Sequence, residues 1–369
     1  MEVQTLRDFL DQNSPLALAA GGLLIGFAFG WTVFRTNFCT MGSISDFMSF
    51  GDYRRFRSWM LAAGVALSGT QLLSAGGAVD LSKSMYLSAN FNWFGDIIGG
   101  LLFGFGMVLA GGCASRNLAR LGGGDLRALV ILMVTGLFAY ISIGGILGTA
   151  RVWVEQLTRI NLGTFKIDTQ SLAALVAHVA GSDIGQVEYI VSATIVVAFA
   201  VFCFSDRSFR TSPMHIWAGL GVGLCVVAGW ALTGLAFDEF NERPVAPISL
   251  TFVRPVGDTL DWLQRFTAIP MPSFGVVTVF GALLGAFVAA VGMGRFQFTT
   301  FSSIKDTQRN LIGAALMGIG GVMALGCTVG QGITGVSTLA VGSFVALISI
   351  VAGGMVGMKH MERVIMKEV

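Results

Sequence analysis

The chain has 369 residues, 54% of them hydrophobic and 12% charged, against about 25% charged in an ordinary soluble domain. That balance defines a polytopic membrane protein. With 23 basic residues against 21 acidic ones, it gives no nucleic-acid partner and no bulk attraction for acidic substrates. Three scattered histidines and the lack of any C-x-x-C pair offer no metal cage, and no cofactor is called for. Five cysteines are an odd number, so at least one is unpaired within the chain.

The N-terminal stretch from Met1 to Asp8 lacks the basic lead-in of a cleaved signal, so Leu16 onward reads as a retained span. A span needs about 20 apolar residues. Such runs fall at Leu16–Phe34, Trp59–Gly77, Ile97–Gly112, Leu129–Ala150, Tyr189–Phe204, Met214–Phe237, Phe274–Gly294, Leu311–Gly326 and Leu339–Met358. The fold class is therefore all-α, a polytopic membrane protein with about nine transmembrane helices. Residues 1–369 are expected to form a single transmembrane domain. From Leu311 to Met358 no residue in 48 is charged. As one helix that stretch would run ~72 Å at ~1.5 Å per residue, more than twice a ~30 Å hydrocarbon core. It must double back, and Gly326 to Gly335 is the plausible break. Basic clusters at Arg54 to Arg57, Arg116 to Arg127, Arg207 and Arg210, Arg295 to Arg309 and the C-terminus place the N-terminus outside and the C-terminus in the cytoplasm. The longer segments 151–188 and 238–273 carry mixed charges and more prolines, as loops do.

Three cysteines sit where apolar runs give way to small polar residues: Phe38-Cys39-Thr40, Gly112-Cys113-Ala114 and Gly326-Cys327-Thr328. Each opens a stretch of about ten residues, or ~15 Å as helix, half a bilayer. Short helices and irregular backbone at that depth occur around a cavity or inside protein, so these stretches read as re-entrant half-helices. A thiol at the N-terminal end of such a helix meets free N–H groups and partial positive charge, which favour an anion. Asn37, Gly111, Gly112, Gly326, Gly330 and Gln331 add donors or close backbone approach. Arg116, three residues past Cys113, can neutralise an anion. Arg35 and Arg295, at span ends, read as interfacial anchors, and Cys203 and Cys225, inside unbroken apolar runs, read as packing. Asp46 and Asp306 read as caps or partners of nearby arginines.

The chain also repeats itself. Residues Arg35 to Asp46 align without gaps to Arg295 to Asp306, with six of twelve identical, and Asp96 to Cys113 aligns to Asn310 to Cys327. The two matches lie 260 and 214 positions apart, so the first half carries 46 extra residues, enough for one added span. One added span reverses direction, and the stretches ending at Cys113 and Cys327 then approach from opposite membrane faces, an internal inverted repeat. The halves are 16–150 and 274–358. The repeat partner of Cys39 is Thr299.

Together the F-C-T-x-G, L-A-G-G-C-A and G-C-x-x-G-x-G stretches resemble the YeeE/YedE sulfur-transport family of bacterial inner-membrane proteins, over nearly the whole chain. The resemblance implies uptake of thiosulfate or a related sulfur anion through an hourglass-shaped helical protein. Three cysteines, here Cys39, Cys113 and Cys327, would pass the ion along by S–H···S contacts, and a cytosolic TusA-type sulfurtransferase could receive it. It implies a transporter and not an enzyme. Ser115-Arg116-Asn117 stands where thiosulfate-importing members have a small Thr-Gly pair, a departure that bears on which sulfur or selenium species is carried. The alternative from another class is a membrane thiol enzyme or sulfur carrier that forms a cysteine persulfide. The sequence offers no general base beside the cysteines for it.

Overall fold

The computed structural model describes residues 14–237 and 246–368. The N-terminal signal-peptide reading at Met1 to Asp8 lies outside the described residues. Nine helices coincide with the nine expected spans. They are α1 (Ser14–Thr36), α3 (Arg54–Ala75), α4 (Gly100–Leu109, led in by a wide turn at Gly95–Gly99), α6 (Leu126–Ile143), α9 (Ile184–Phe204), α10 (Pro213–Leu235), α12 (Phe274–Gly292), α13 (Ile304–Met323) and α14 (Val341–Glu368). Between them lie α2 (Thr40–Phe50), α5 (Ala114–Gly122), α7 (Ile146–Thr158), α8 (Leu172–Ala180) and α11 (Val253–Gln264). Among the described residues, seven helical stretches are long and apolar enough to cross a membrane. The two helices outside that group are α3 and α13, and both open on a charged turn, Arg54 to Arg57 and Lys305 to Arg309. The protein is an all-α, multi-pass membrane protein.

Two expectations shift. The run Leu129–Ala150 is not one helix: Tyr140 O accepts the amides of both Gly144 and Gly145 at 3.1 and 3.2 Å, which ends α6 and lets α7 start afresh. Within the stretch read as a loop over 238–273, α11 forms. The chain before it dips inward, with Leu250 and Phe252 fully buried and Phe252 stacked on Phe29 at 4.8 Å.

Glycine decides how the bundle closes. Along α1 and α12, Gly26 faces the Thr278 backbone and Gly281 faces the Phe27 backbone, so these helices run parallel. Between α4 and α13 the order is inverted: Gly99 meets Gly320, and Gly106 meets Gly313. A Cβ on any of these four would stand 2.6–2.7 Å from the opposite carbonyl oxygen, so no larger residue fits. Increasing number on one helix matches decreasing number on the other, and the two run antiparallel. The aligned positions, Gly99 with Gly313 and Gly106 with Gly320, change places across the contact, as a two-fold axis requires. Each helix then takes a parallel or antiparallel neighbour, Gly104 against Ile350 of α14 and Gly318 against Thr135 of α6.

The two faces differ. On one, a two-residue ribbon pairs Asn90 and Phe91 with Asn161 and Ile160, and Val341 N donates to Gln170 O at 3.0 Å. The opposite face collects arginines at the ends of α1, α5, α9 and α12 and the starts of α3 and α6. There Asp46 pairs with Arg55 at 3.2 Å and Asp306 with Arg309 at 2.8 Å.

Candidate functional site

The ends of α1, α4 and α13 build three similar devices. At the first, Phe38 N returns to Val33 O at 3.2 Å and Asn37 takes φ 57°, a left-handed conformation that Asn tolerates better than most residues. Cys39 then caps α2: its sulfur accepts Gly42 N at 3.4 Å and its carbonyl accepts the Ser43 hydroxyl at 2.8 Å. At the second, Gly111 and Gly112 take φ 68° and 151° and bring Cys113 to the N-cap of α5. Its sulfur lies 3.3 Å from Ser115 Oγ, and Asn117 Nδ2 laces the turn to Gly112 O at 2.8 Å. At the third, Leu325 takes φ 54° and Gly326 N donates to Gly321 O at 2.8 Å. Cys327 then opens the helical segment 328–338, its sulfur accepting Gly330 N at 3.3 Å. The Phe252 and Val329 amides act on the same sulfur.

All five cysteines are free and buried. Cys113 lies within electrostatic reach of both Cys39 and Cys327. Arg116 and Arg55 reach Cys39, while the Tyr86 phenol, in the loop of the ribbon face, reaches Cys327. Charge interactions thus link Tyr86 to Cys327, Cys327 to Cys113, Cys113 to Cys39 and Cys39 to Arg116. By contrast, Cys203 donates to Arg57 O at 3.2 Å in a satellite cluster with Leu61 and Phe209, and Cys225 packs in the core.

The remaining predicted residues divide. Asn37 and Arg116 line a cavity of about 280 Å³ on the arginine face, with Phe34, Arg120 and Arg295. Gly111 and Gly112 shape the turn beneath that cavity: Gly112 lies against the Arg116 stem and Gly111 against the Arg120 guanidinium. Gly326 packs on the Gln331 backbone and Gly330 on Thr251. The Gln331 amide is already engaged: its nitrogen donates to the Ala324 carbonyl and its oxygen accepts the Ser343 hydroxyl at 2.6 Å. It braces the third break.

Sequence reasoning missed four residues. Arg295 lines the cavity instead of serving only as an anchor, while Arg35 does lie over Trp31 at 4.9 Å. Tyr86 Oη and Trp59 Nε1 are buried without a hydrogen-bond partner among the described residues, as is Thr328 Oγ1 beside Cys327. An unmet buried donor costs about 1–3 kcal/mol, so such groups near a path are poised for a guest. Their signal in the sequence was weak, since one tyrosine in a loop carries no periodicity.

On the same face Asp125 holds the α5–α6 turn. Burial alone would raise its pKa. Hydrogen bonds from Arg127 and Arg120 outweigh that and hold it at about 2.

A multi-pass helical bundle with three buried thiols on short internal helices fits a membrane transporter. Residues 35–356 match the family described as sulphur transport, and the chain belongs to that family. It is 30% identical over 337 residues to the thiosulfate transporter TsuA of Spirochaeta thermophila, covering 90% of this chain and 96% of that protein. It is also 25% identical over 357 residues to the thiosulfate transporter TsuA of Escherichia coli, covering 91% and 93%.

Proposed function

We propose that this protein carries thiosulfate, or a closely related anion with a terminal sulfur, across a bacterial inner membrane along Cys327, Cys113 and Cys39. The observation that carries this reading is geometric: three free, buried thiols each stand at the N-terminal end of a short helix that opens at a break in the bundle. Burying a bare dianion costs tens of kcal/mol. Helix-end amides replace part of its hydration, and the unpartnered Tyr86 and Thr328 hydroxyls offer more. The Cys39 and Cys327 sulfurs already accept a backbone N–H, leaving the S–H to donate to the sulfur of the ion. A neutral thiol suits this task, because a thiolate would repel the cargo. Three moderate sites in series keep the ion moving where one tight site would trap it.

The halves 16–150 and 274–358 would be the two repeats that clasp the path. With basic residues inside, the N-terminus lies outside, the C-terminus is cytoplasmic, and the ion enters past Tyr86 and leaves past Arg116. A cytosolic TusA-type sulfurtransferase would collect it there. The test is radiolabelled thiosulfate uptake into reconstituted vesicles, with sulfate, sulfite and selenite as competitors. Thiosulfate uptake that sulfate competes for weakly is the expected result. Sulfate competing as well as thiosulfate would overturn the soft thiol contact.

A further inference from the structure

We propose that the arginine-lined cavity beside Cys39 is an anion-holding site in its own right, selective for doubly charged oxyanions and indifferent to sulfur. It rests on the transport reading only for its place at one end of the thiol path.

Three guanidiniums, those of Arg116, Arg120 and Arg295, face a cavity of about 280 Å³. At ~30 Å³ per water, that space takes a tetrahedral oxyanion with part of its hydration. The nearest carboxylate, Asp125, is shared: Arg120 Nη2 lies 2.7 Å and Arg127 Nε 2.9 Å from it. Arg120 has its remaining fork on Gly111 O and Asn117 Oδ1, both at 3.1 Å. With Nε, Nη1 and Nη2 all engaged, it acts as a fixed charge. The Arg116 and Arg295 side chains have no ion pair and no hydrogen bond among the described residues. Two guanidiniums without a protein partner therefore line one cavity.

The geometry ties the cavity to the path. Arg116 stands on Cys113's own helix, its stem held against Gly112, where φ is 151° and a Cβ would stand 2.8 Å from Arg116 Cγ. Its charge reaches Cys39. Asn37, in its left-handed turn two residues before Cys39, adds an amide to the wall. Guanidinium forks match two oxygens of a carboxylate-, phosphate- or sulfate-like group and pay no attention to a terminal sulfur. The cavity thus selects charge, and the thiols select softness. Sulfate would occupy the first without entering the second.

The test separates this site from the relay. Sulfate binding is measured by calorimetry, at fixed ionic strength in chloride, on the Cys39→Ala/Cys113→Ala/Cys327→Ala protein in phosphatidylcholine nanodiscs. Saturable binding is expected, weakened at least about tenfold by Arg116→Gln and by Arg295→Gln, and unchanged by Arg35→Gln. Arg295 is exposed, so its substitution leaves the fold standing if Arg116→Gln does not. Sulfate binding that is absent, or equal in Arg295→Gln, would overturn the site. A lipid headgroup offers the same chemistry: if phosphatidylglycerol in the nanodisc abolishes sulfate binding, the occupant is lipid and the proposal for a soluble anion falls. Failure of the relay shows separately, as thiosulfate uptake that survives the triple cysteine change.

Discussion

The segments 35–46 and 295–306 share six of twelve residues yet do opposite things. In the first, Phe38 is 5% exposed and anchored in the core. The chain turns inward, and Cys39 starts a helix inside the bundle. In the second, Phe298 is 74% exposed, and the chain runs extended along the surface. Gln297 N donates to Gly123 O at 3.0 Å and Thr299 N to Gly124 O at 3.2 Å, and no helix begins until Ser303 caps α13. The arginines that open the two segments part as well, Arg35 over Trp31 and Arg295 facing the cavity. A shared sequence pattern thus accompanies two different local structures, and burial of one phenyl ring goes with the inward turn at Cys39.

The largest effect on transport should come from the thiols. Cys39→Ala, Cys113→Ala and Cys327→Ala are each expected to cut thiosulfate uptake at least about tenfold, a barrier rise of ~1.4 kcal/mol. Thr299→Ala, the repeat twin of Cys39, should stay within about twofold, as should Cys203→Ala and Cys225→Ala. Equal losses at Cys39 and Thr299 would erase the comparison, and wild-type uptake by the triple cysteine variant would sink the relay.

Next come the phenyl rings. Phe38→Ala leaves a cavity in the core and should cost about 3–5 kcal/mol. Phe298→Ala, on the surface, should fall within ~0.5 kcal/mol. Thermal unfolding in detergent compares them directly. Similar melting temperatures would mean that the buried ring does not hold the inward turn.

How much of this was legible beforehand follows the range of each interaction. The nine helices and the three breaks are local, written in apolar runs and in Gly111-Gly112 and Gly326, and the sequence places most helix ends to within about five residues, missing the start of α13 and the end of α6 by seven and the end of α14 by ten. The reversal between the stretches at Cys113 and Cys327 follows from counting one extra span, and the glycine pairs of α4 and α13 run antiparallel in agreement. The different roles of Arg35 and Arg295 were not legible, because the identical pattern around them hides which neighbour each finds. The inward dip at Leu250 to Phe252 was not legible either: it is held by Thr334 Oγ1 donating to Leu250 O at 2.7 Å and by Phe29, partners far away in the chain. C-terminal to Met358 the last helix simply continues to Glu368, since charged residues end a span without ending a helix.

A smaller effect should separate the two turns at the backbone. Asn37→Gly keeps the φ 57° turn without strain and should be close to neutral, whereas Asn37→Val forces a β-branched residue into the left-handed region at about 1–3 kcal/mol. Gln297→Val sits in extended chain, where β-branched residues fit, and should change little. A Val at position 37 as stable as one at position 297 would show that the inward turn is not fixed by its backbone conformation.

The smallest effect lies where the surface segment meets the α5–α6 turn, through the bridge between Thr299 and Asp125. Arg127 and Arg120 hold the Asp125 carboxyl at about 2, below its ordinary 3.8. A depressed folded pKa contributes stability that is fully present above the ordinary value and lost as pH falls through the folded one. The protein should therefore lose this contribution between pH ~4 and ~2, with Arg120 released from its fixed position beside the cavity. Asp125→Asn removes the ionisation, so its melting temperature at pH 5 should be lower than wild type and the gap should narrow toward pH 3. A gap that stays constant over that range would mean that the pairing of Asp125 with its two arginines contributes nothing to holding the surface segment in place.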